Sequence, residues 1–143
     1  LQPLLSRLTE SPKVKLADHP SIPKAPGIYL FSEGPNPVYV GQSSNLDRSL
    51  RQHTTSTSGE NSASLAFNLA LQEGEAQGLD TGGTRREIAA RPEFDVLFGD
   101  AQRRVAEMNV QLVEVDDAVT RTIFEIYAAR ILATDEFNSF DTD

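Results

Sequence analysis

The sequence predicts an α/β fold: a small, mainly antiparallel sheet of three strands, flanked by helices. Residues 28–31 and 38–40 are short runs of β-branched, aliphatic and aromatic residues, and the six residues between them are rich in Gly, Pro and Asn. That pattern is typical of a hairpin. Residues 109–115 carry four Val and Leu residues and suggest a third strand. Elsewhere Leu, Ala and Val recur at helical spacing, so helices are expected to cover the sheet.

The first 26 residues contain five prolines. Residues 1–25 are therefore expected to be an extended or partly helical lead-in. After the second strand, Ser44 or Asn45 is expected to cap a helix that ends near residue 53. Residues 54–62 are small and polar, which predicts a flexible connector.

The second half of the chain is predicted to be mostly helical. We expect a helix over residues 63–73, one or two turns over residues 85–91, and a longer helix over residues 94–108. The last helix should begin near Asp117 or Thr120 and end near Leu132. The whole chain, residues 1–143, is predicted to be a single domain around one core.

The amino-acid composition excludes several classes of functional site. The chain has 21 acidic and 13 basic residues and a formal charge of −8, so a polyanion would have to meet a local basic patch. Cysteine is absent, which excludes a disulfide, a thiolate zinc site and a Cys nucleophile. A metal should then be a hard cation bound through oxygen, such as magnesium. With no membrane-length apolar run and no secretory signal, we expect a cytoplasmic protein without a membrane partner.

The predicted hairpin carries two tyrosines. Side chains alternate across a strand, so Tyr29 and Tyr39 should share one face, with Gly41 nearby. The opposite, aliphatic face should lie under the helices; it comprises Ile28, Leu30, Val38 and Val40. Two phenols beside a glycine would form a polar platform with room for a ligand. The alternative is an amphipathic hairpin with two half-exposed tyrosines.

The helix after Gly41 is a candidate phosphate site, because the first turn of a helix offers backbone N–H groups to an anion. Ser49 and His53 lie one turn apart on one face, and Arg48 and Arg51 share another. His53 could transfer a proton or donate to a phosphate. The alternative is a solvated helix face with a surface histidine.

Two polar residues near the C-terminus have unexpected surroundings. Glu125 lies in an apolar stretch of the last helix, where a carboxylate is costly unless it is paired or binds a metal. Arg121, one turn earlier, and a magnesium ion are the alternative partners. Further on, Phe137 and Phe140 flank Asn138, a pattern that by itself is typical of an anchored tail with Asn138 in a turn.

Together these features resemble a known family. Gly27-Ile28-Tyr29 and Tyr39-Val40-Gly41 are similar to the two signature tripeptides of the GIY-YIG nuclease superfamily. A His on the next helix, a lone Glu on a later helix and an Asn near the end follow in the same order, over residues 25–140. The resemblance implies a GIY-YIG-like fold and one-metal hydrolysis of DNA phosphodiester bonds. It further implies Mg²⁺ or another divalent cation as cofactor, DNA as partner, and no small-molecule cofactor.

The resemblance also implies a role for each residue. Tyr29 resembles the tyrosine that contacts the nucleophilic water or acts as its base, and Tyr39 the tyrosine that helps position the scissile phosphate. His53 resembles the helix residue that assists deprotonation and contacts phosphate. Glu125 resembles the single protein ligand of the metal. Asn138 resembles a late polar residue that supports the site.

One position departs from the family pattern. Superfamily members have an Arg eight residues after the second signature's Gly, and this chain has Ser49 there. Serine cannot stabilise the charge of a phosphorane-like transition state, and loss of such a donor typically costs ~10²–10³ in rate. Arg48 is rotated from the required direction by ~100° around the helix, and Arg51 by more. The expected nucleic-acid contacts are Gly41, Arg48, Ser49 and Arg51.

Three functions therefore stay open at the level of sequence. The first is a magnesium-dependent DNA endonuclease, weakened by Ser49. The second is a catalytically inactive nucleic-acid-binding module on the same fold. The third is a structural or protein-interaction domain, in which Glu125 would pair with Arg121. The oligomeric state is open as well, and a dimer is compatible with all three.

Overall fold

A three-stranded antiparallel sheet with the order β2-β1-β3 forms the centre of the fold. The structure is a computed structural model, and it describes residues 1–55 and 64–134. The strands are β1 (Gly27–Glu33), β2 (Asn36–Ser43) and β3 (Asn109–Glu114). β1 pairs antiparallel with both neighbours, so the predicted hairpin and third strand are confirmed.

Helices account for most of the remaining described residues. They are α1 (Gln2–Glu10), α2 (Leu46–Thr55), α3 (Ser64–Ala76), α4 (Arg85–Ala89), α5 (Pro92–Glu107) and α6 (Ala118–Ile131), with a 3₁₀ turn at Leu16–Asp18. α5 begins at Pro92, two residues before the predicted start, because a proline in the first turn of a helix loses no hydrogen bond. Within 1–55 and 64–134, no helix combines the length and the apolar character needed to cross a bilayer.

Both faces of the sheet are covered. On one face Ile28, Leu30 and Val40 pack against α1 and α6, as predicted for the aliphatic face of the hairpin. On the other face Tyr29 and Phe31 pack under α2, α3 and α5. Tyr29 is therefore only 4% exposed. The predicted open platform of two tyrosines is wrong, because the helices after the hairpin close over that face as well.

Val38 departs from the expected alternation along β2. Phe31 pairs with Tyr39, but the next residue, Ser32, pairs with Pro37, so Val38 is an extra residue in the strand. Such a β-bulge changes the direction of a side chain. Val38 accordingly packs with Tyr29 and Phe31 and not on the face that holds Val40.

The Pro-containing lead-in is part of the core. It contributes buried side chains to both faces of the sheet: Leu5, Leu8, Leu16 and Ile22. Val14 exchanges two backbone hydrogen bonds with Val110, of 3.0 and 2.7 Å, and so extends the pairing at the outer edge of β3. The connector predicted for residues 54–62 begins inside α2, and its remainder lies outside the described residues.

Candidate active site

Tyr29 and His53 form a hydrogen-bonded pair in the core. The phenol oxygen lies 2.8 Å from Nε2 of the imidazole, and His53 is only 2% exposed. The ring of Phe31 meets both rings edge-on, with centroids 5.7 Å from Tyr29 and 5.0 Å from His53. The alternative of a solvated helix face with a surface histidine is therefore wrong: the third turn of α2 faces the sheet, and His53 lies between them.

Burial keeps both members of this pair neutral. It lowers the pKa of His53 to about 4. Burial also raises the pKa of Tyr29 well above its ordinary value, and repulsion from an ionised Tyr39 and from the carboxylate of Glu125 adds to that rise. At neutral pH the site consequently holds an uncharged phenol against an uncharged imidazole. Within the described part of the chain, Nδ1 of His53 has no hydrogen-bond partner.

Tyr39 is the more accessible of the two signature tyrosines. Its ring lies 6.4 Å from that of Tyr29 and 5.7 Å from that of His53, measured between centroids, and it is partly exposed. Burial and the charge of Glu125 raise the pKa of Tyr39 to about 12. Tyr39 is thus a neutral hydroxyl, able to donate a hydrogen bond to an anionic group that approaches from solvent.

The signature glycines make room for other parts of the fold. Gly41 lies opposite Tyr29 in the sheet, and a Cβ added to it would lie 2.2 Å from Cζ of Tyr29. A Cβ at Gly27 would lie 2.3 Å from the carbonyl oxygen of Val113. The space beside Gly41 is therefore filled by the phenol of Tyr29 and is not left for a ligand.

Glu125 faces the two tyrosines from α6. Its carboxylate is half-buried, and its charge raises the pKa of both phenols. Nε2 of Gln42 lies 3.3 Å from Oε1 of Glu125, and the backbone N–H of Gln42 also donates to the carboxylate. Burial raises the pKa of Glu125, and these two hydrogen bonds partly oppose that rise.

Arg121 is not the partner of Glu125. Its guanidinium donates to the carbonyl oxygens of Val115 (3.0 Å) and Asp116 (2.8 Å), and these hydrogen bonds stabilise the turn before α6. No ion pair found within residues 1–55 and 64–134 includes Glu125. A half-buried carboxylate with hydrogen bonds but no cationic side chain fits a hard divalent cation. No cluster of three or more potential metal-ligating side chains occurs in these described ranges. A cation at this place would therefore have the carboxylate of Glu125 as its protein ligand.

The first turn of α2 has no free donors for a phosphate. The N–H groups of Leu46 and Asp47 donate to the carbonyls of Ala25 and Pro23, at 2.9 and 3.1 Å. The N–H of Arg48 donates to Oδ1 of Asn45 at 3.1 Å. Asn45 is therefore the helix cap, as expected, but the predicted anion site is wrong because the lead-in occupies it.

The remaining expected contact residues lie apart from one another. Ser49 is half-buried, and its hydroxyl lies 2.5 Å from that of Ser43 at the end of β2. Arg51 pairs with Asp47 at 2.7 Å. Arg48 is exposed, and its side chain makes no ion pair within the described residues. Asn138 lies outside the described residues.

The structure thus brings four of the predicted residues together: Tyr29, Tyr39, His53 and Glu125. Gln42, which contacts Glu125, is the member of this group that the sequence prediction missed. The available signal was a polar residue directly after the second signature tripeptide. Its partner 83 residues later in the chain gives no signal in the local pattern.

Comparison with known proteins places this arrangement in a family. The chain is 34% identical over 113 residues to UvrABC system protein C of Deinococcus radiodurans. That match covers 76% of this chain and 18% of the length of the relative, so the chain spans less than a fifth of that protein. No family model matches the chain, and no solved structure matches it with significance. With two signature tripeptides on adjacent strands, the β2-β1-β3 sheet and this relative, the chain belongs to the GIY-YIG superfamily.

Proposed function

We propose that the chain is a DNA endonuclease domain that hydrolyses phosphodiester bonds with one divalent cation, magnesium by preference, at Glu125. The observation that carries the proposal is the convergence of two phenols, an imidazole and a carboxylate from four different elements, β1, β2, α2 and α6. Within the described residues that carboxylate has no ion-pair partner. When bound, the cation would supply electrostatic stabilisation of the charge on the phosphate and the leaving oxygen.

The tautomer of His53 determines whether the O–H of Tyr29 is free to donate a hydrogen bond to the substrate or to water. A buried acceptor without a partner costs less than a buried N–H without one. The unpartnered Nδ1 therefore favours the tautomer with its hydrogen on Nε2, which donates to the oxygen of Tyr29. The phenol O–H is then free to donate to an attacking water or a phosphate oxygen.

In this scheme Tyr29 positions the nucleophile instead of removing its proton. Burial holds its pKa well above the ordinary value of a tyrosine, so a phenolate is scarce at neutral pH. His53, with a pKa of about 4, is too weak a base to take that proton near pH 7. The proton that the attacking water loses would therefore pass to bulk solvent. Tyr39 supplies a second neutral donor, placed nearer to solvent, for a non-bridging phosphate oxygen.

The test is cleavage of a supercoiled plasmid with Mg²⁺. We expect the wild-type chain to nick the plasmid, and Glu125→Gln, which keeps the shape of the side chain but removes its charge, to lose at least ~10² in rate. Ser49→Arg, which restores the family's cation, should increase the rate by ~10²–10³. Absence of nicking by both the wild-type and the Ser49→Arg chains would contradict the proposal.

Ser49 favours a second candidate, a DNA-binding module without catalysis. Its hydroxyl is engaged by Ser43, so the position that carries the Arg in other members provides no positive charge. This alternative predicts DNA binding that weakens with salt according to a small number of Arg contacts. It also predicts no product from the Ser49→Arg variant. The third candidate, a structural domain, loses its main support because Arg121 does not pair with Glu125.

A further inference from the structure

Gln42 links the edge of the sheet to α6. It is the penultimate residue of β2, the edge strand opposite β3. Its Nε2 lies 3.3 Å from Oε1 of Glu125 and 3.2 Å from Oγ1 of Thr122. Its backbone N–H donates to the same carboxylate. One residue therefore supplies two donors to Glu125 and has a second anchor one turn earlier on the helix.

The anchor at Thr122 fixes the orientation of the amide. The hydroxyl of Thr122 donates to the carbonyl of Ala118 at 3.1 Å, which leaves its oxygen lone pairs for the amide of Gln42. Both hydrogens of that amide then have acceptors, on Thr122 and on Glu125, so its rotation is restricted. The carboxylate of Glu125 is held in turn by a group that cannot easily move.

This arrangement leaves Glu125 able to bind a cation. An ionised carboxylate has about four lone-pair directions, and the two donors of Gln42 occupy two of them. Gln42 is uncharged, so it orients the carboxylate without neutralising it, as a Lys or Arg at this position would. Groups that hydrogen-bond to metal ligands in this way fix ligand orientation and strengthen metal binding.

We propose that Gln42 is a positioning residue that holds the carboxylate of Glu125 in the orientation needed to bind a divalent cation, an inference that rests on the proposed function. The residue does not touch the substrate or the cation. It acts through Glu125, so its loss should weaken cation binding more than it slows the reaction at a saturating cation concentration.

The test measures Mn²⁺ binding to the full chain by electron paramagnetic resonance, without DNA. Gln42→Met keeps the length of the side chain but removes the amide, and we expect its Kd for Mn²⁺ to rise about tenfold. The chain offers a matched control in Gln77, whose Nε2 donates to Oε1 of Glu73 at 2.9 Å on the exposed surface. Gln77→Met should leave the Kd unchanged. In plasmid nicking, Gln42→Met should need more Mg²⁺ for half-maximal rate but approach the wild-type rate at saturation.

The outcomes separate this inference from the function on which it rests. If Glu125→Gln binds Mn²⁺ as tightly as wild type, Glu125 is not a cation ligand, and both proposals fail. If Glu125→Gln abolishes binding but Gln42→Met leaves the Kd unchanged, the function stands and the role of Gln42 is refuted. If Gln42→Met unfolds at a lower temperature than wild type, Thr122→Val replaces it as the test variant, because it removes only the hydroxyl that anchors the amide of Gln42. An increase in its Kd of about threefold supports the proposal, and an unchanged Kd refutes it.

Discussion

The phenol oxygen of Tyr29 lies 2.8 Å from Nε2 of His53 in the interior of the protein. This hydrogen bond joins the first signature tripeptide on β1 to the helix that follows the second tripeptide. The imidazole is therefore a core residue as well as a residue of the candidate site. Its protonation must disturb the packing between β1 and α2, so the charge of His53 is coupled to folding.

The first prediction concerns acid stability. His53 has a pKa of about 4 when folded and an ordinary value near 6.5 when unfolded. Between these pH values the unfolded state binds more protons, so stability falls as the pH falls from about 6.5 to 4. The contribution of this one residue is about 3 kcal/mol. Urea unfolding at pH 7 and pH 4.5 should reveal most of this loss.

A variant without the titrating group isolates this contribution from that of the carboxylates. His53→Phe keeps an aromatic ring against Phe31, and its loss of stability on acidification should be smaller than that of wild type by most of the 3 kcal/mol. An NMR titration of His53 in the native chain should have a midpoint near pH 4. A midpoint above pH 6 would show that the imidazole is not buried as described.

The second prediction concerns the hydroxyl of Tyr29. Tyr29→Phe leaves Nε2 of His53 without a partner in the core, which should cost about 1–3 kcal/mol of stability. If Tyr29 positions the nucleophile, the rate of plasmid nicking should fall by ~10² or more. Tyr127→Phe is the control, because its hydroxyl bonds to Gln2 at 3.1 Å on the opposite side of the sheet. Equal rates for the two variants would remove Tyr29 from the mechanism.

The third prediction compares two glycines. Gly41→Ala places a methyl group 2.2 Å from Cζ of Tyr29, so the buried phenol must shift, at a cost of about 1–3 kcal/mol. Gly99 lies inside α5, where an added Cβ meets only the end of Arg103 at 3.8 Å. Gly99→Ala should therefore stabilise the protein by about 0.5–1 kcal/mol. Thermal unfolding of both variants should give shifts of opposite sign.

The fourth prediction is that Arg121 stabilises the fold but does not affect cation binding at Glu125. Arg121→Met removes two hydrogen bonds to backbone carbonyls and should lower the free energy of unfolding by about 1–3 kcal/mol. Its affinity for Mn²⁺ should equal that of wild type, because Arg121 does not contact Glu125. Stronger Mn²⁺ binding by this variant would mean that Arg121 competes with the cation for the carboxylate after all.

Local patterns in the sequence were sufficient to predict the three strands of the sheet and the residue at which α6 begins. Turn residues between two apolar runs predicted the hairpin, and Asp117 caps α6 by accepting from the N–H of Thr120 at 2.8 Å. These features depend on residues that are close in the chain. The family resemblance then singled out Tyr29, Tyr39 and Glu125, whose electrostatic coupling appears in the structure.

Features that depend on distant residues could not be predicted in this way. A surface position for His53 stayed open as an alternative because the helix pattern does not reveal which face Phe31 will cover. The donors at the start of α2 were assigned to a phosphate because nothing local indicates that Pro23 and Ala25 will occupy them. The bulge at Val38 could be predicted only from the register of β2 against β1. The alternation of side chains within one strand gives no information about that register.

The packing of the first 26 residues has a practical consequence for anyone who designs shorter versions of this protein. A fragment that starts at Gly27 retains both tripeptides but loses the leucines that shield each side of the sheet. It would also leave Leu46 and Asp47 without their backbone acceptors and Val110 without the backbone hydrogen bonds of Val14. Such a fragment should aggregate on expression, so a minimal folded unit has to include the segment ahead of the first motif.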